Sequence, residues 1–173
     1  MLIEMQEISF RKDILPLKDK LFRLALRITL DRAEAEDVVQ DVLLKAWDKR
    51  DEWTDLLSVE AYCKVMTKNL AIDRGRVKVS QTVELTPEME ETPDSCSPYE
   101  QLVHEEIMNL INRLVNELPE QQRLVLQLRD VEGESYKKIA SLLQLTEEQV
   151  KVYLFRARQK VRKRFLEIDG YGL

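Results

Sequence analysis

The chain has 173 residues, 34% of them charged and 44% hydrophobic, with only four Gly and five Pro. Few breakers among many Leu, Glu, Lys and Arg favour an all-α protein of two small domains or one ordinary one. The net charge of −5 argues, taken alone, against a nucleic-acid binder, but the sum hides the distribution. Residues 1–79 hold fifteen basic and fifteen acidic side chains, residues 80–100 six acidic and no basic ones, and residues 101–173 twelve basic and eleven acidic ones. The negative excess therefore sits in the middle. Two cysteines, Cys63 and Cys96, with His104 as the one histidine, exclude a disulfide framework and a zinc site. The N-terminus lacks a signal pattern, and the most apolar stretch, residues 21–30, is broken by Arg23 and Arg27. No membrane insertion is expected, and the location expected is a reduced cytoplasm.

Along the chain, Pro16 ends a short leading helix and stands near the start of the next, whose inward face is Leu17, Leu21, Leu24 and Ile28. Asp31 followed by Glu34 is a capping pair. The helix it opens carries an inward stripe of Ala35, Val39, Val42 and Ala46, spaced four, three and four. Its opposite face offers Asp37, Gln40, Asp41 and Leu44, with Trp47 near the end. Carboxylates alone are the wet side of a helix, but a large apolar Leu44 among them points to a protein partner. Residues 48–57 read as a polar loop holding Trp53. Ser58 then caps a third long helix with Val59, Tyr62, Cys63, Met66 and Leu70 inward. Lys64, Lys68, Arg74, Arg76 and Lys78 lie on or beyond its outer side.

Residues 80–100 combine Pro87, Pro93 and Pro98 with six acids and read as a linker between a first domain, 1–79, and a second, 101–173. In the second, Ile107, Leu110, Ile111, Leu114 and Leu118 form one amphipathic face. Pro119 starts a further helix with Leu124, Leu128 and Val131 inward and Gly133 as its stop. A short helix over 135–143 has Ile139, Ala140 and Leu143 apolar. The capping box from Thr146 to Gln149 opens a final helix with the stripe Val150, Leu154, Ala157, Val161 and Phe165. Two helices joined by a three-residue turn, the second basic, make a helix-turn-helix. Its early outward positions are Gln149, Lys151, Val152, Tyr153 and Phe155, able to reach base edges. Arg156, Arg158, Lys160 and Arg162 are expected to neutralise phosphates. The bland alternative is a solvated terminal helix whose cations complement the helix dipole.

Asp37 and Asp41 lie one turn apart, but the chain brings them no His ligand, no Gly-rich phosphate loop and no Ser-His or Cys-His pair. No catalytic residue, metal or cofactor is expected.

Three segments resemble a known family in order and spacing. AEDVVQDVLLKAW (residues 35–47) resembles the polymerase-binding segment of extracytoplasmic-function (ECF) sigma factors of the sigma-70 family. AYCKVMTKNLAIDRGR (61–76) is similar to their −10 promoter segment, and residues 118–165 to their −35-binding domain. The resemblance implies that Asp37, Gln40, Asp41, Leu44 and Trp47 bind core RNA polymerase. It implies that Lys64, Lys68, Asn69, Asp73 and Arg74 hold single-stranded −10 DNA, with Trp53 beside a flipped base. The final helix would enter the major groove at the −35 element. Core polymerase, promoter DNA and an anti-sigma factor are the implied partners. The chain departs from the pattern at Gln144, where Gly is usual, at Val152 and Tyr153 in the recognition helix, and at Tyr62 and Cys63. The rival readings are a stand-alone helix-turn-helix regulator whose first domain senses a ligand or dimerises, and a helical adaptor for an acidic protein.

Overall fold

The computed structural model describes residues 8–53, 56–78 and 97–169. The linker acids from Glu84 to Asp94, together with Cys96, lie outside the described residues. Every regular element among the described residues is helical, and the chain divides into two compact units.

The first unit opens with a π-helical turn, Phe10–Ile14, and a 3-10 turn, Leu15–Leu17, which contains Pro16. Three helices follow: α1 (Lys18–Thr29), α2 (Arg32–Asp48) and α3 (Leu56–Lys78), each packed against the other two. Helix α1 stops because Leu30 adopts φ +55° and its amide bonds back to the Leu26 carbonyl. Asp31 then caps α2, its carboxylate accepting from the Glu34 amide at 3.1 Å. The stripe Ala35, Val39, Val42, Ala46 is buried, and Val38 and Leu43 widen it; Leu21, Leu24, Ile28, Val59 and Cys63 close the core. Helix α3 begins at Leu56, ahead of the Ser58 expected to cap it, because the helix-favouring Leu56 and Leu57 join its first turn.

The second unit consists of α4 (Pro98–Asn116), α5 (Glu120–Leu126), a π-helical turn (Gln127–Val131), α6 (Tyr136–Leu143) and α7 (Glu147–Asp169). Residues 98–100, expected in the linker, are the first turn of α4. Ser97 Oγ accepts from the Glu100 amide at 3.4 Å while Glu100 Oε2 accepts from the Ser97 amide at 3.3 Å. Pro98, which looks like linker punctuation, takes the first helical position, where its missing N–H costs nothing. Val131 is a second difference: expected inward, it is 53% exposed. The π-turn adds a residue to that turn and rotates the apolar stripe out of register. Leu124, Leu128, Ile139, Val150, Leu154 and Ala157 form the core as expected. Gly133 has φ +70° and Gln144 φ +56°, so both turns flanking α6 pass through the left-handed region.

Candidate functional site

The acidic face of α2 follows from helix periodicity. Glu34, Asp37, Asp41 and Leu44, spaced three, four and three, line up on one stripe opposite the buried one. Asp37, Gln40 and Leu44 are exposed, and Leu44 has 62% of its surface open. An apolar side chain so placed, on a helix with a fully buried opposite face, has no role in the core. Trp47 differs from this group. It is half-buried, its ring meets Phe10 edge-on at 5.6 Å, and the Arg50 guanidinium lies 4.3 Å from its centre. Trp47 therefore anchors the leading turn as well as bordering the face.

The residues expected to hold −10 DNA fall into three situations. Asn69 and Asp73 are exposed on α3. Lys64 bonds Glu60 at 2.8 Å one turn earlier, and Lys20 reaches the same carboxylate at 3.5 Å. The hydrogen bond from Lys64 holds the Glu60 carboxyl below its ordinary range. Lys68, one turn after Lys64 and expected on the outer side of the helix, is buried. Arg74 is tied to the acidic face of α2: Nη2 donates to Asp41 Oδ2 at 2.6 Å, and Nη1 lies 3.6 Å from Glu34 and 3.9 Å from Asp37. Trp53 is also engaged within the fold. Its Nε1 donates to the Ala46 carbonyl at 3.3 Å, and its ring packs on Tyr62 at 4.7 Å.

In the second unit, the capping box at the start of α7 is reciprocal. Gln149 Oε1 accepts from the Thr146 amide at 2.9 Å and Thr146 Oγ1 accepts from the Gln149 amide at 3.1 Å. Gln149 thus has its carbonyl oxygen engaged and its amide nitrogen left for other contacts. Lys151, Val152, Phe155 and Arg156 are exposed, with Phe155 at 61%, whereas Tyr153 is half-buried. Lys160 and Arg162 are exposed cations further along. Arg158, expected on phosphate, forms a fork with Asp130, Nε to Oδ2 at 3.0 Å and Nη2 to Oδ1 at 2.5 Å. That hydrogen bond raises the guanidinium's already high pKa. Tyr136 lies between two cations, Arg129 at 4.6 Å and Lys151 at 5.6 Å from its ring centre.

Spacing gives no sign of these supports. Asp130 precedes Arg158 by 28 residues and Glu34 precedes Arg74 by 40, so only the folded chain brings them together. The Glu60–Lys64 pair and the Thr146–Gln149 cap are exceptions, visible as i,i+4 and i,i+3 patterns. Among the described residues no cluster of His, Cys, Asp or Glu is suited to a metal ion, and no helix is long and apolar enough to cross a membrane.

Comparison with known proteins matches two family profiles in order: Sigma-70 region 2 over residues 14–79 and Sigma-70 region 4 over residues 108–161. The ECF RNA polymerase sigma factor SigL of Mycobacterium tuberculosis is 31% identical over 154 residues, 86% of this chain and 84% of the relative. The ECF RNA polymerase sigma factor SigW of Bacillus subtilis is 27% identical over 87% of this chain and 86% of its own. A probable RNA polymerase sigma factor RfaY of Xanthomonas campestris pv. campestris is 33% identical over 83% of this chain, which spans 37% of that longer protein. The fold is shared with the sigma factor RpoE of Bartonella quintana, solved with the anti-sigma factor NepR (TM-score 0.67, 22% identity, 89% of this chain and 94% of that one). It is also shared with CnrH, solved with the cytosolic domain of CnrY (TM-score 0.63, 20% identity, 92% and 88%). Two sigma-70 regions in sequence along one chain, and a 31% identical relative matched over most of its length, make this protein a member of the ECF family of RNA polymerase sigma factors.

Proposed function

We propose that the labour of this sigma factor is divided between its two units, with residues 1–79 binding core polymerase and the −10 element and residues 101–173 binding the −35 element. The observation that carries the first assignment is Leu44, 62% exposed in an acidic stripe on a helix whose other face is buried. Asp37, Gln40, Asp41 and Leu44 combine an exposed apolar side chain with charges complementary to a basic partner. On α3, Asn69 and Asp73 are the exposed groups that favour single-stranded DNA, with the half-buried Lys64 along the same helix. Trp53 serves that surface by shaping it from within the fold, since both its polar and its aromatic contacts are internal.

The second assignment rests on α7. Lys151, Val152, Phe155 and Arg156 occupy the start of a recognition helix, where side chains reach base edges, and Lys160 and Arg162 are placed for phosphates. The protein acts without catalysis, metal or cofactor, and its place is the cytoplasm, where polymerase and promoter are. An anti-sigma factor is a further partner, as for the sigma factor RpoE solved with the anti-sigma factor NepR. The testing experiment adds the protein to core polymerase and measures association and transcription from matched promoters. Core association with promoter-dependent transcription is the expected result. Autonomous, symmetric operator binding without core identifies a stand-alone regulator instead, and neither activity identifies an adaptor.

A further inference from the structure

Arg74 belongs by sequence to the segment assigned to −10 DNA, yet its guanidinium reaches the carboxylates of the neighbouring helix. Glu34, Asp37 and Asp41 share one stripe of α2, and three like charges at helical spacing repel one another. One cation from α3 answers all three, at 2.6 Å from Asp41, 3.6 Å from Glu34 and 3.9 Å from Asp37. The geometry is uneven: Asp41 Oδ2 accepts a short hydrogen bond from Arg74, while Oδ1 accepts no hydrogen bond from the described residues. The Asp41 and Asp37 side chains stay 46% and 65% exposed, whereas Arg74 is tucked beneath them at 31%. Leu44 continues the same stripe one turn beyond Asp41. A fork-shaped donor that pins one oxygen of a carboxylate leaves the other fixed in place for an incoming cation.

We infer that Arg74 is a positioning residue for the polymerase-binding face, holding Asp41 and Asp37 in the conformation that core polymerase meets. The inference rests on the reading of α2 given above. Its physical content is pre-organisation: the cost of ordering a charged cluster is met in the free protein instead of during binding. It makes a counterintuitive forecast. Removing a cation from an acidic face strengthens its long-range attraction for a basic partner, so net charge alone predicts tighter association. Positioning predicts weaker association.

The test measures affinity of the full-length protein for core polymerase in the absence of DNA, for wild type, Arg74→Gln, Arg74→Lys, Asp41→Asn and the Arg74→Gln/Asp41→Asn double variant. Thermal melts confirm that each is folded at the assay temperature. Arg74→Gln is expected to weaken core binding about two- to fivefold, the range of partly exposed ion pairs, and to keep that loss at high salt, where distant charge effects are screened. Arg74→Lys, which keeps the charge and loses the fork, is expected to lie between the two. On the Asp41→Asn background Arg74→Gln is expected to cost little more, because it acts through Asp41. Equal or tighter binding by Arg74→Gln overturns the inference, as does a loss that simply adds to that of Asp41→Asn. In either case, weakened binding by Asp41→Asn alone leaves the reading of α2 standing, whereas full affinity in Asp41→Asn defeats that reading itself.

Discussion

The exposed faces of α2 and α7 carry opposite charge but are built alike. On α2 the acids are answered by Arg74 from α3, and on α7 the cation Arg158 is answered by Asp130 from the preceding π-turn. In both helices an apolar side chain is left open among the charges: Leu44 at 62% on one and Phe155 at 61% on the other. Charge marks such a face but does not say which charges are available to a partner. A fold with many ionic side chains pairs some of them internally, and a guanidinium with two well-placed acceptors has little reason to leave them. A bare apolar group has no such internal alternative at the surface, and Leu44 and Phe155 stay open where Arg74 and Arg158 are paired.

The largest expected effect tests the apolar half of this comparison. Leu44→Asp is expected to weaken core polymerase binding by about 2–3 kcal/mol, the cost of losing a central interface anchor. Its melting temperature is expected to stay near wild type because Leu44 contributes little to the core. A melting temperature that falls along with affinity would mean that Leu44 supports the fold, and the resemblance to Phe155 would end there.

A medium effect separates the turn that aims α7 from the charges on it. Gln144 holds φ +56°, a region that costs a residue with a Cβ and not Gly. Gln144→Gly is expected to stabilise the second unit by about 1 kcal/mol without changing the DNA sequence preferred. Unfolding by denaturant measures it, and a variant less stable than wild type would show that the glutamine side chain compensates for the strain.

The smallest effect distinguishes paired from open cations on α7. Arg158→Ala and Asp130→Ala are expected to lose stability alike, by roughly 0.5 kcal/mol, as befits two halves of one exposed pair. Neither is expected to change the dependence of DNA binding on salt. Lys160→Ala and Arg162→Ala are expected each to lower that salt slope by about one unit. A lowered slope in Arg158→Ala would show that DNA draws its guanidinium away from Asp130.

Helix order and the two inward stripes are legible in the sequence because they depend on neighbours three and four residues apart. Asp31 with Glu34 and Thr146 with Gln149 are local in the same sense, and both caps form as the sequence expects. What spacing cannot convey is register inside a π-turn, which exposes Val131, or a helix start written as Ser-Pro, which draws residues 98–100 into α4. The site residues divide along the same line. Their placement on exposed faces follows from periodicity, but the partners of Arg74, Arg158 and Trp53 come from other elements. Periodicity had no means of setting Arg74 against Asp41 or Trp53 against Ala46.

Cys63 is one of the core residues of the first unit. Its side chain is fully enclosed in the core of the first unit, and burial pushes its thiol up to about 11, so at neutral pH it is an unreactive thiol, not a nucleophile. Reagents can reach it only when the packing of the three helices opens. With Cys96 replaced by Ser, the rate at which an alkylating reagent consumes the remaining thiol becomes a stopwatch for that opening, set into the chain without any engineered probe. Run with and without core polymerase, it would time how firmly the bound partner keeps the three-helix unit shut.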